Sequence, residues 1–173
     1  IDWENVCPKV EYGIDKKTVA KEYEIYVVGN PPYLGFLQQQ SDHKKDMDLV
    51  LKTIEGYRKL DYISCWFFKS SEYILGAIKI KVAFVSTNST SQGEQASIFW
   101  PSIFSSGIEI FFAHQSFKWQ NNAKNNAGVT CVIIGLRNIS TEPKYLYVNG
   151  LKKMVKNINS YLADSSNIIV LKR

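Results

Sequence analysis

The sequence is poor in metal ligands and in redox pairs. It has two histidines, His43 and His114, and three cysteines, Cys7, Cys65 and Cys131. No Cys-x-x-Cys pair and no Cys/His cluster occurs, so a structural zinc site is not expected. An odd number of well-separated cysteines argues against a disulfide framework and for free, buried thiols in a reducing compartment. A cytoplasmic location is the expectation. Apolar runs free of charge all fall well short of the roughly 20 residues that a membrane helix needs, so no membrane partner is expected. Glycine is scarce early: Gly13 alone precedes Gly29. The chain begins at Ile1 rather than a methionine and shows no leader pattern, which reads as a piece cut from a longer protein.

What is present is ordinary globular material. Hydrophobic residues make up 45% and charged residues 21%, enough for one sizeable core. The net charge is +5 and the pI about 9.0. That excess suits a face that meets phosphates, and equally a lysine-rich solvated surface.

Apolar patterning divides the chain into alternating elements. Residues 10–24 are charged and read as a loop or a short helix from Lys17 to Glu24. Ile25-Tyr26-Val27-Val28 reads as a buried strand. Met47, Val50, Leu51 and Ile54 have helical spacing, with Ser41 as a cap and Gly56 as a stop. A second helix is expected over 61–75 and is apolar nearly all round, which implies burial on several sides. A strand over 80–85, a helix over 94–104 and strands over 108–114 and 129–136 follow. The last two strands read as a hairpin joined by an asparagine-rich loop, 115–127, and 144–148 as a shorter strand. Met154, Val155, Ile158, Tyr161 and Leu162 have loose helical spacing. Strands alternating with helices predict an α/β fold with a mainly parallel sheet and an antiparallel hairpin at its edge. Residues 1–150 are expected to form one partial domain, and 151–173 a linker.

The most informative stretch is Val27-Val28-Gly29-Asn30-Pro31-Pro32-Tyr33. Two prolines fix φ and remove two donors, and the first pushes Asn30 towards an extended conformation. The product is a stiff loop at the carboxyl end of a strand, where open α/β sheets bind ligands. It holds an amide, carbonyls without competing donors, and an aromatic ring. As a bare tetrapeptide, Asn-Pro-Pro-Tyr is an ordinary turn; its place after a strand is what gives it weight.

In that setting the sequence resembles the amino-methyltransferases. The loop's surroundings look specifically like the methylase part of large DNA-adenine methylases of the fused type II restriction–modification kind. The matching stretches are Gly29-Asn-Pro-Pro-Tyr-Leu-Gly35, Leu60-Asp-Tyr-Ile-Ser-Cys-Trp-Phe67, Ala83-Phe-Val-Ser-Thr-Asn-Ser89 with Gln92-Gly-Glu-Gln95, and Phe112-Ala-His-Gln-Ser-Phe-Lys-Trp119 with Cys131-Val-Ile-Ile-Gly135.

The resemblance implies the C-terminal half of a class I, Rossmann-like methyltransferase sheet. It implies methyl transfer from S-adenosylmethionine to adenine N6 of a base flipped out of double-stranded DNA, with a restriction endonuclease fused or associated. Asn30, Pro31, Pro32 and Tyr33 then hold and activate the base. Phe117 closes on its other face, with Trp119 as runner-up. Asn88 shapes the pocket, and Lys118 with the neighbouring asparagines meets phosphate. Asp61 and Tyr62 border the donor pocket. Each has a plainer reading: Phe117 as core, Asp61 as a helix cap, Tyr62 as a core aromatic, and residues 118–126 as a solvated loop. Gln92 to Gln95 read as a helix start or as part of a DNA contact.

The family's donor site opens with a Phe-x-Gly-x-Gly turn, and this chain has none. A target-recognition region is expected beyond about residue 160 and is absent as well. The resemblance therefore implies weak or no donor binding and no methylation by this piece alone. The competing classes are a release-factor glutamine or rRNA guanine methyltransferase, and a non-catalytic nucleic-acid-binding domain.

Overall fold

The computed structural model describes residues 10–12, 18–20, 24–75, 79–118 and 129–168. Two short strands, β1 (Val10–Tyr12) and β2 (Thr18–Ala20), pair antiparallel. A strand therefore occupies part of the segment expected as a loop or as a helix from Lys17. The body of the protein is a six-stranded sheet of β3 (Ile25–Gly29), β4 (Ile80–Thr87), β5 (Ile108–Lys118), β6 (Thr130–Asn138), β7 (Lys144–Val148) and β8 (Leu151–Val155). Among the described residues three α-helices accompany it: α1 (Ser41–Leu51), α2 (Ser64–Ile74) and α3 (Gly93–Ser105).

The strand order is β3-β4-β6-β5-β7-β8. Strands β3, β4, β5 and β7 run one way, and β6 and β8 run against them. The α/β class and the predominant strand direction are those expected. The β5–β6 hairpin is also present, but its return strand lies inside the sheet, between β4 and β5, and the hairpin at the edge is β7–β8. Burial explains the position. Cys131, Val132, Ile134 and Leu136 of β6 are almost fully buried, and a strand buried on both faces belongs in a sheet's interior.

The core lies between the sheet and α2 and α3. Phe67 of α2 meets Phe84 of β4 edge-on at 5.3 Å and lies 6.1 Å from Phe99 of α3. Trp100 is fully buried, and its indole N–H is satisfied by the Thr90 carbonyl at 2.7 Å, as a buried donor requires. Helix α1 adds Met47 and Leu51 to this layer. On the opposite face His114 of β5 stacks on Tyr147 of β7, with centroids 6.0 Å apart. There Gly135 admits the Phe112 ring so closely that a Cβ would stand 2.3 Å from it.

Two expectations change. The division at residue 150 falls in the β7–β8 turn, so the expected linker begins with a strand of the same sheet. Beyond it Ile158 and Leu162 are buried in the core. The strand over 25–28 is also not buried throughout. Ile25 is, but Tyr26 is 59% and Val28 72% exposed, because β3 stands at the sheet's edge.

Candidate active site

The loop after β3 is held by its own backbone. Gly29 is the last residue of the β3–β4 ladder, opposite Phe84. Pro31 then buries its ring, while Asn30 and Pro32 stay exposed and Tyr33 is half-buried. The carbonyls of Tyr33 and Leu34 accept from the N–H groups of Ile63 (3.4 Å) and Tyr62 (3.0 Å), in the turn that leads into α2. Gln39, buried at 7% exposure, donates to the Leu60 carbonyl at 3.0 Å and closes the loop's far side. The Leu60–Phe67 stretch thus seats the Asn-Pro-Pro-Tyr loop.

Within the loop the Tyr33 hydroxyl donates to Asn30 Oδ1. An amide oxygen has two lone pairs, so this bond orients the Asn30 side chain and leaves one acceptor position open. The same hydroxyl lies 3.8 Å from Cys131 Sγ. Burial, followed by the thiol beside it, pushes the Tyr33 phenol well above its ordinary range, against an opposite pull from Asn30. Tyr33 therefore stays a protonated donor where a free tyrosine would ionise.

Phe117 enters this group by register. It pairs with Cys131 across the β5–β6 ladder, past a bulge between His114 and Phe117, and paired residues share a face of the sheet. Both aromatics thus neighbour one cysteine. Phe117 belongs to strand β5 and not to the loop that its polar surroundings suggested. Lys118 ends β5, exposed. Trp119 and residues 120–128 lie outside the described residues.

Asn88 opens a single 3₁₀ turn, Asn88–Ser91, after β4. With Ser91, Gln92, Gln115, Ser116 and Asn149 it lines an uncharged cleft of about 490 Å³ at the carboxyl ends of β4, β5 and β7. A wider groove, about 570 Å³, lies between α1 and α2 and is lined by Leu49, Tyr62 and Trp66, away from Asn30.

Asp61 and Tyr62, expected beside the donor, are committed elsewhere. Asp61 Oδ1 accepts from Phe36 N–H at 3.3 Å and Oδ2 from Ser89 Oγ at 2.6 Å. Tyr62 donates to Asp46 at 2.6 Å, and that bond with burial holds its phenol pKa up at about 12. Both side chains thus have partners within the domain, and Tyr62 also lines the groove between α1 and α2. Among the described residues no cluster of His, Cys, Asp and Glu is placed to hold a metal, and no helix is long and apolar enough to cross a membrane. Sequence reasoning missed Cys131 as the meeting point of the two aromatics. It also missed Gln39 and Ser89, whose importance lies in long-range contacts that carry no local signal.

A Rossmann-like half-sheet with Asn-Pro-Pro-Tyr at the carboxyl end of its edge strand defines a methyltransferase-type α/β domain. Residues 1–148 match the family model described as MmeI, DNA-methyltransferase domain. The chain belongs to that family. It is similar to DNA methyltransferase A of Bacillus subtilis (strain 168), with 47% identity over 174 residues, covering all of this chain and 18% of that protein. It is also similar to the Type IIL restriction–modification enzyme MmeI, whose structure was solved in complex with DNA. There the TM-score is 0.85 and the identity 36%, over all of this chain and 22% of that one. The chain thus spans about a fifth of the length of these relatives.

Proposed function

We propose that this chain forms the base-handling part of a cytoplasmic DNA methyltransferase that methylates adenine at N6, within a restriction–modification system whose nuclease is fused or associated. The carrying observation is the cluster of Asn30, Tyr33 and Cys131, with Phe117 paired to Cys131. Taking the base out of the duplex costs a few kcal/mol, and stacking on an aromatic returns about 1–3 kcal/mol per base. Tyr33 and Phe117 supply the rings. The open lone pair of Asn30 Oδ1 and the Pro31 carbonyl each accept one amino hydrogen. Drawing on both hydrogens favours a pyramidal nitrogen, whose lone pair is then free to attack. Lys118 meets a DNA phosphate beside the site, and Asn88 shapes its wall.

S-adenosylmethionine is the donor in this reading and supplies an electrophilic methyl group. Asp61 and Tyr62 already have hydrogen-bond partners within the domain, and this reading assigns the donor no contact with either. The piece alone is then expected to transfer no methyl group.

Nucleoside mass spectrometry of DNA treated with the intact parent enzyme and S-adenosylmethionine reads the product. N6-methyladenine is expected. Methylated cytosine in place of N6-methyladenine, or no methylated base at all, would overturn the proposal. The raised pKa of Tyr33 adds a pH test. Its hydroxyl remains the donor to Asn30 as pH rises through the ordinary tyrosine value of about 10. Wild type and Tyr33→Phe should therefore share one alkaline limb in methylation rate. Tyr33→Phe keeps the ring and should lose roughly tenfold in rate, in line with one orienting hydrogen bond. A wild-type limb near pH 10 that Tyr33→Phe abolishes would contradict the assignment.

A further inference from the structure

We infer that Asp61 is the positioning residue of the catalytic loop: its carboxylate fastens the loop's return to the turn after β4 and thereby sets where Asn30 and Tyr33 stand. The inference rests on the methyltransferase reading above and assigns Asp61 a part different from donor binding.

The loop contains one strained residue. Leu34 has φ +26°, in the region that side chains rarely adopt, and it directly follows Tyr33. Such strain persists only where the surroundings over-determine it. The surroundings here are specific. On one side the Tyr33 and Leu34 carbonyls are held by Ile63 and Tyr62 N–H. On the other, Phe36 N–H donates to Asp61 Oδ1 at 3.3 Å. Asp61 Oδ2 accepts from Ser89 Oγ at 2.6 Å, and Asp61 N–H donates to Gln95 Oε1 at 3.1 Å.

One residue, only 7% exposed, therefore ties together the catalytic loop, the turn after β4 and the first turn of α3. Charge-assisted bonds of this kind are stronger than neutral ones. The arrangement also gives Gln95 of the Gln92-Gly-Glu-Gln95 stretch a use, since its side chain steadies Asp61. Loop placement matters to rate because a shift of about 1 Å in a reacting group can cost about 10²-fold.

The test uses the intact parent enzyme with Asp61→Ala, Asp61→Asn, Ser89→Ala and the Asp61→Ala/Ser89→Ala double variant. Single-turnover methylation, KM for S-adenosylmethionine and the melting curve are measured for each. Asp61→Ala is expected to slow methyl transfer by about 10²-fold, with donor KM changed less than about threefold. Asp61→Asn keeps an acceptor for Phe36 N–H and should recover much of the rate. It also serves if Asp61→Ala fails to fold. The double variant should lose less than the product of the two single losses, because both act through one contact.

A raised donor KM at unchanged rate would make Asp61 a donor ligand and overturn the inference. So would a lowered melting temperature with an unchanged rate per folded molecule. Wild-type methylation of adenine that Asp61→Ala and Asp61→Asn leave untouched would overturn this inference alone. A wild-type parent that does not methylate adenine would overturn the underlying reading, and this inference with it.

Discussion

Asn30→Ala in the intact parent enzyme is expected to lower the rate of adenine methylation by about 10²–10³-fold, the loss typical of removing one preorganised partner of a transition state, about 3–4 kcal/mol. The side chain is exposed at the carboxyl end of β3, so its removal should leave the fold intact. It accepts from the Tyr33 hydroxyl, and that bond fixes the amide's orientation before any base arrives. On the proposed mechanism the contact with the amino group tightens only as the nitrogen becomes pyramidal. The loss should therefore appear in kcat, with KM for DNA little changed. Transfer of radiolabelled methyl groups to a defined duplex measures it. A variant that methylates at the wild-type rate would remove Asn30 from the chemistry and leave the loop as an ordinary turn.

The second large effect lies at the other end of the sheet and concerns stability. Glu109, at the start of β5, is 7% exposed and Arg137, near the end of β6, is 3% exposed. Their side chains meet at 2.8 Å, and Lys144 of β7 reaches the other oxygen of Glu109, also at 2.8 Å. Arg137 continues to the Glu142 carboxylate at 2.8 Å and to its carbonyl at 2.6 Å. Glu109→Ala leaves two cations in a buried place with one carboxylate fewer. Breaking such a network from one side costs about 3–5 kcal/mol, which in a domain of this size lowers the melting temperature by on the order of 10 °C. Calorimetry of the parent, following the transition of this domain, checks it. Replacing Glu109 and Arg137 together with leucine and methionine should cost less than the two single replacements added, because each single change already breaks the contact they share, while Lys144 loses its carboxylate whenever Glu109 is replaced. A double variant as unstable as the sum of the singles would show that the two act independently.

Much of this molecule was legible from local pattern. The helix over 61–75, the strands over 80–85, 108–114 and 144–148 and the helix over 94–104 all appear, with ends shifted by a few residues. Their apolar periods are long enough to identify them without a partner. Places where the reading changed share one cause. The period of β5 does not stop at His114; a bulge carries the strand on to Lys118 through residues that look like loop. The polar character of Gln115 and Ser116 reflects the cleft they line, not the end of a strand. The apolar residues at loose spacing from Met154 to Leu162 read as part of a linker, and only pairing across the sheet places Leu151–Val155 in a strand beside β7.

By itself, then, the sequence determined the element types over most of the chain and the nature of the Asn30–Tyr33 loop, because proline geometry and apolar periodicity act within a few residues. Only the tertiary structure decided that β6 lies between β4 and β5, that Phe117 and Tyr33 neighbour one buried cysteine, and that the Asp61 carboxylate accepts from Phe36 N–H and Ser89 Oγ. Those facts depend on strand register and on hydrogen bonds between segments 25 or more positions apart. A carboxylate looks the same in sequence whether it awaits a ligand or is already paired, and only the folded chain shows which.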